Sequence, residues 1–166
     1  MRTATTSSVE ETISFARTFG ASLRRGDVVA LSGDLGSGKT QFVKGACEAF
    51  GVREPVTSPT FVLLNRYSGM DEDGRELLLF HFDLYRVRSI AEVYDLGYEE
   101  FFRGDGVCFI EWADLFSELG TMLPAERYNV NLSLGSDENI RRIEIADRRE
   151  SFTAAASRRA GRGIVS

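Results

Sequence analysis

The segment GDLGSGKT, Gly33 to Thr40, sets three glycines, a lysine and a threonine in the spacing G-x-x-x-x-G-K-[ST]. Glycines let successive backbone N–H groups curl around phosphate oxygens, and a helix beginning there adds the partial positive charge of its N-terminus. In such a cradle Lys39 bridges the β- and γ-phosphates of a nucleotide, and the Thr40 hydroxyl ligates Mg²⁺. Gly33, Asp34, Leu35, Gly36, Ser37, Gly38, Lys39, Thr40 and Gln41 are therefore the expected nucleotide-binding residues. Average composition produces this pattern by chance in roughly half a per cent of chains of this length. A plain glycine-rich turn is the weaker reading.

A phosphate cradle needs a carboxylate to hold magnesium, usually at the end of a neighbouring buried strand. Two segments end that way. VCFIEW carries four apolar residues, Val107 to Ile110, into Glu111, and LLLFHFDLYR, Leu77 to Arg86, turns polar at Asp83. In a strand, Leu78, Phe80, Phe82 and Leu84 form one apolar face, while Leu77, Leu79, His81, Asp83 and Tyr85 form the other. One carboxylate is expected to help hold Mg²⁺ and the other to orient or deprotonate the attacking water. The residue types leave that division open. Thr40, Glu111 and Asp83 are thus metal-ligand candidates, and Asp83, Glu111 and Lys39 catalytic ones. His81, the one histidine of the chain, reads as a hydrogen-bonded strand residue before any role in proton transfer.

The elements that must position these groups follow from the hydrophobic pattern. Ser8 and Glu11 fit a capping box opening a helix whose stripe is Val9, Ile13, Ala16, Phe19 and Leu23, closed by Gly26 and Asp27. Val28 to Leu31 is a short buried strand before the glycine-rich loop, and Phe42, Val43, Ala46, Cys47 and Phe50 resume helical spacing after it, with Gly51 as a cap. Gly45 inside that helix costs about 1 kcal/mol relative to alanine. A strand is predicted from about Thr60 to Tyr67, turning at MDEDGRE into LLLFHFDLYR as an antiparallel hairpin. The segment around Gly97 is helical in pieces. YNVNLSL and IRRIEIA form a second hairpin across GSDEN, with Tyr128, Val130, Leu132 and Leu134 on its covered face. Strands alternating with helices, plus two hairpins, imply an α/β sandwich around a mixed sheet.

The chain has 166 residues, 43% of them hydrophobic and 27% charged, which fits one domain with a sizeable core. That domain is expected over 1–149. Residues 150–166, rich in Ala, Ser, Gly and Arg, read as a weakly ordered tail. A net charge of −5 argues against a protein that clamps DNA or RNA by itself. Cys47 and Cys108 lie far apart in apolar surroundings and read as buried thiols. With no signal-like N-terminus and no run of membrane-spanning length, the expected location is the cytoplasm.

Four blocks in order, GDLGSGKT, SPTF (Ser58 to Phe61), HFDLYR (His81 to Arg86) and IEW (Ile110 to Trp112), resemble the TsaE family, also called YjeE. These are small P-loop ATPases of bacterial tRNA threonylcarbamoyladenosine biosynthesis, and the resemblance runs from about Ser8 to Ala146. It implies a P-loop NTPase-type three-layer α/β sandwich with a mixed central sheet and antiparallel hairpins. It further implies ATP bound with Mg²⁺ at Lys39, Thr40 and Glu111, with Asp83 serving the magnesium–water shell or the hydrolytic step. The SPTF segment, with Ser58 and Thr60, resembles a switch loop that responds to nucleotide. The implied partners are TsaD and TsaB, with tRNA reached only through that complex. Tyr85 and Arg86 read equally as partner or phosphate contacts and as packing and rim charge. Trp112 reads equally as a nucleotide contact and as a core or lid aromatic.

Two other classes of function remain open at this level. A small-molecule kinase would use the same loop and could cast Arg86 and Arg88 as a lid. A nucleotide-gated binding module would need ATP only to order the TSPTF loop.

Overall fold

Val28 to Leu31 and Val107 to Ile110 contain no polar side chain, as strands covered on both faces require. In the computed structural model, which describes residues 1–59 and 62–149, they lie side by side as parallel strands β2 (Val28–Ser32) and β5 (Val107–Glu111), with Leu31 opposite Glu111. Strands β4 (Glu76–Asp83) and β6 (Tyr128–Leu134) flank this pair and run parallel to it. Antiparallel strands complete the sheet: β3 (Leu64–Met70) on β4, then β7 (Arg141–Asp147) on β6, and β1 (Arg2–Thr6) on β7. The order is β1-β7-β6-β2-β5-β4-β3. Mixed sheet and hairpins are as the patterning implies.

Two helical layers cover the faces. On one side α1 (Val9–Gly20) and α2 (Lys39–Glu48) bury Ala16, Phe19, Phe42, Val43 and Cys47 against Leu31, Phe109 and Val130. On the other, α3 (Ile90–Asp95), α4 (Tyr98–Phe102) and α5 (Leu119–Met122) bury Val93, Phe102, Leu119 and Met122 against Ala30, Phe82 and Ile110. The alternating faces of β4 divide between these cores: Leu77 and Leu79 enter the first, and Phe80, Phe82 and Leu84 the second. Helices α1 and α2 approach closely because two glycines let them. A Cβ on Gly45 would lie 2.2 Å from the Ile13 carbonyl oxygen, and one on Gly20 would lie 2.5 Å from that of Ala46. Gly45 thus serves helix packing, which outweighs its propensity cost.

The boundaries differ from expectation in four places. Strand β3 starts at Leu64 rather than Thr60, although the Asp83 N–H still donates to the Leu63 carbonyl oxygen (3.2 Å) in the register of the β3–β4 ladder. Helix α1 ends at Gly20, before the Gly26–Asp27 turn. Its capping pair is split: Ser8 Oγ accepts from Glu11 N–H (3.1 Å), whereas the Glu11 carboxylate reaches back to Ser7 N–H (2.7 Å). Edge strand β1 was not expected; among the described residues it pairs with β7 alone, some 140 residues further along the chain. Both thiols are buried, and burial pushes Cys47 up to about 12 and Cys108 well above its ordinary value. Thr60, Phe61 and the 150–166 segment lie outside the described residues.

Candidate nucleotide-binding site

The loop between β2 and α2 turns on Gly33, which has φ +133°; a Cβ there would meet the Leu132 carbonyl oxygen at 2.1 Å. Gly38, at φ +100°, is the N-cap of α2. Inside this loop Lys39, only 4% exposed, donates from Nζ to the carbonyl oxygens of Gly33 (2.6 Å) and Asp34 (2.8 Å). The indole of Trp112 covers the same ammonium at 3.8 Å. Burial pushes the Lys39 pKa below its ordinary 10.5, partly offset by the charges of Glu111, Asp83, Asp114 and Asp34. The ammonium is held by weak neutral acceptors, which a phosphate would displace with charge-assisted bonds.

Thr40, the next residue, donates from Oγ1 to Glu111 Oε1 at 2.8 Å. Glu111 ends β5 and is 2% exposed. The same Oε1 meets Nε2 of fully buried His81, also at 2.8 Å. With a carboxylate as acceptor, Nε2 carries the proton, and Nδ1 finds no hydrogen-bond partner among the described residues. Asp83 ends β4 directly opposite Glu111 in the parallel ladder. Its Oδ1 accepts from Tyr85 N–H (3.0 Å), and its Oδ2 accepts from the Ser58 hydroxyl. Ser58 of the expected switch loop therefore grips the second strand-end carboxylate.

These groups open into one cavity of about 740 Å³ at the C-terminal ends of the parallel strands. Leu35, Gly36, Gly38, Lys39, Thr40 and Gln41 line it, with Asp83 and Glu111 on the β4–β5 side. Gly33, Asp34 and Ser37 do not line it; their oxygens accept from Lys39. Tyr85, Arg86 and Trp112 reach the rim; the Tyr85 and Trp112 rings meet at a 36° tilt with centroids 4.9 Å apart, and Trp112 adopts a left-handed backbone (φ 60°) uncommon outside glycine. The donor set fits Mg²⁺, since Thr40 and Glu111 offer hard hydroxyl and carboxylate oxygens. Among the described residues no group of three His, Cys, Asp or Glu is placed to hold a metal ion, so phosphate and water oxygens would complete its coordination.

A family model described as "Threonylcarbamoyl adenosine biosynthesis protein TsaE" matches residues 6–143. The chain belongs to the TsaE family. It is 40% identical over 149 residues to the tRNA threonylcarbamoyladenosine biosynthesis protein TsaE of Bacillus subtilis, covering 90% of this chain and 83% of the relative. The TsaE of Treponema pallidum is 38% identical, with 84% and 96% covered. The crystal structure of Bacillus subtilis YdiB superposes with a TM-score of 0.71 at 34% identity, over 96% of this chain and 95% of that one. No helix among the described residues is long and apolar enough to cross a membrane.

Within this TsaE-family site, some wall residues carry no motif. Ser8, Val9 and Thr12 of the α1 entry and Asn139 and Arg141 of the β6–β7 hairpin line the cavity opposite Asp83. Arg141 donates from Nη2 to the Gly36 carbonyl oxygen (3.2 Å) and so braces the P-loop from outside. Residue spacing could not disclose this, because Arg141 meets Gly36 only through the pairing of β7 with β6 and of β6 with β2.

Proposed function

We propose that this chain is a Mg²⁺-dependent ATPase that supports N6-threonylcarbamoyladenosine modification of tRNA by driving repeated turnover of the TsaD–TsaB assembly in the cytoplasm. The supporting observation is the 2.8 Å link from Thr40 Oγ1 to Glu111 Oε1 beside Lys39 in its cradle. Lys39 would leave its carbonyl acceptors for the β- and γ-phosphate oxygens of ATP. Thr40 and Glu111 would hold Mg²⁺, which supplies charge neutralisation at the transferring phosphoryl group. Asp83 would orient the attacking water and take its proton as that water's oxygen bonds to the γ-phosphorus, while the bond to the β-phosphate oxygen breaks to leave ADP and phosphate. Ser58, bonded to Asp83, gives the switch loop a direct sense of events at that carboxylate. Tyr85 and Arg86, exposed on the rim, are the partner-facing candidates, and tRNA would be met through the complex.

The test is ATP hydrolysis by the purified protein with and without Mg²⁺, alone and then with TsaD and TsaB from the same source, with Lys39→Ala as the blank. Slow solitary turnover that rises sharply with the pair is expected. Turnover unchanged by the pair would detach the chain's ATPase from that assembly. Hydrolysis that instead required an added metabolite would favour a kinase.

A further inference from the structure

The parallel strands have a second end, opposite the P-loop, and three arginines gather there. Arg103 caps the C-terminus of α4, Arg127 immediately precedes β6, and Arg148 immediately follows β7. Tyr128 and Asp147 are register partners, so the last two arginines leave the sheet together, and Arg148 N–H donates to the Arg127 carbonyl oxygen at 2.9 Å. Arg103, Arg127 and Arg148 line one open groove of about 670 Å³, alongside Leu123, Pro124 and Glu126.

Arg127 is only 9% exposed. Its Nε donates to Asn129 Oδ1 (3.0 Å) and its Nη1 to the Pro124 carbonyl oxygen (2.7 Å), both neutral acceptors. Among the described residues none of the three arginines forms an ion pair. Arg149 next door shows the contrast: it is bridged to both Asp27 and Asp147. A nearly buried cation without a countercharge is costly and uncommon. Burial pushes the Arg127 guanidinium below its ordinary value, and the nearby Arg148 charge pushes it further. The chain as a whole carries −5, so three uncompensated arginines in one groove run against its composition. The groove's single acid, Glu126, is exposed and neutralises none of them in an ion pair.

We propose that Arg103, Arg127 and Arg148 form a phosphate-binding groove separate from the nucleotide site. Guanidinium forks match phosphate oxygens in shape and charge, and Nη2 of Arg127 donates to no described residue. The phosphate is either a free anion or a phosphodiester of an RNA backbone; the chemistry that recognises it is the same.

The test uses the full chain with excess Mg²⁺ and ADP, so that the P-loop does not report. Inorganic phosphate is titrated calorimetrically, and a 5′-hydroxyl single-stranded RNA oligonucleotide is titrated by fluorescence anisotropy at several salt concentrations. Arg103→Glu and Arg148→Glu alter exposed side chains, Arg127→Gln alters the buried one, and Arg75→Glu on the exposed β3–β4 turn is the control. Each charge reversal is expected to weaken binding about tenfold and, with RNA, to lower the salt slope by about one. Arg75→Glu should leave both unchanged. Binding of the oligonucleotide alone identifies an RNA backbone site, and binding of phosphate alone a small-anion site. Failure of both probes to bind, or equal weakening by Arg75→Glu, overturns the proposal. Should Arg127→Gln unfold, the two exposed reversals still decide.

Discussion

Asp83 and Glu111 end adjacent parallel strands as register partners, yet their carboxylates keep different company. Glu111 is buried and bonded to Thr40 and His81, both fixed by regular elements. Asp83 is half-buried and bonded to the Ser58 hydroxyl and the Tyr85 N–H, both on loops. A carboxylate tied to rigid neighbours suits holding an ion, and one tied to loops suits a step that follows loop movement.

That difference separates two substitutions. Asp83→Asn keeps the shape and is expected to lower hydrolysis by about 10²- to 10⁴-fold while leaving MgATP binding nearly intact. Glu111→Gln is expected instead to raise the Mg²⁺ concentration needed for half-maximal nucleotide affinity. Equilibrium binding at graded Mg²⁺, run beside single-turnover hydrolysis, distinguishes them. Near-normal hydrolysis by folded Asp83→Asn would remove Asp83 from the chemistry.

His81 bears on the same ion from behind. It is fully buried, spends Nε2 on Glu111 and leaves Nδ1 unmatched among the described residues, a cost that orientation of Glu111 would justify. Outer-shell partners of this kind typically contribute about 10- to 100-fold in metal affinity. His81→Leu should weaken Mg²⁺ affinity by that order without lowering the thermal midpoint. Loss of stability with unchanged Mg²⁺ dependence would make His81 a packing residue.

Lys39 is expected to make nucleotide affinity depend on pH. Burial holds its pKa below 10.5, so the folded protein binds this proton less tightly than the unfolded chain. The stability this contributes is full above 10.5 and is lost as pH falls through the lowered folded value. Phosphate charge reverses the shift by favouring the ammonium. ATP binding should therefore take up a proton at alkaline pH, and affinity should fall as pH rises through the lysine's lowered pKa. Calorimetry in buffers of different ionisation heat measures the uptake, and Lys39→Met should abolish it.

The parts of the site that were legible in sequence are those written locally. Lys39 and Thr40 follow the glycines of their own loop, and Glu111 follows its own apolar strand, so position along the chain implied position in space. What was not legible depends on pairing between distant segments. Strand β1, RTATT, shows no apolar alternation because it is an edge strand exposed along most of its length, and nothing in it announces β7. Arg141 likewise reaches Gly36 only through the pairing of β6 with β2, and Arg103 joins the two arginines that flank the β6–β7 hairpin from α4, a separate part of the chain.

Trp112 is the chain's one tryptophan, and it covers Lys39 from a left-handed backbone that a non-glycine residue adopts at some cost. Its indole packs at a tilt against Tyr85, which is half exposed at the cavity rim. If Lys39 turns to phosphate, the cation leaves the ring face and a highly charged group arrives beside it. Tryptophan emission should therefore change on adding MgATP and report the lysine's departure. Lys39→Met, which removes the cation, should reduce the change even at nucleotide concentrations high enough to occupy the cradle. Tyr85→Ala should keep nucleotide binding within a few-fold, since its ring lies against Trp112 and not the phosphates. Emission that stays constant while calorimetry shows ATP bound would mean that Trp112 stays in place and that Lys39 reaches phosphate without leaving the indole.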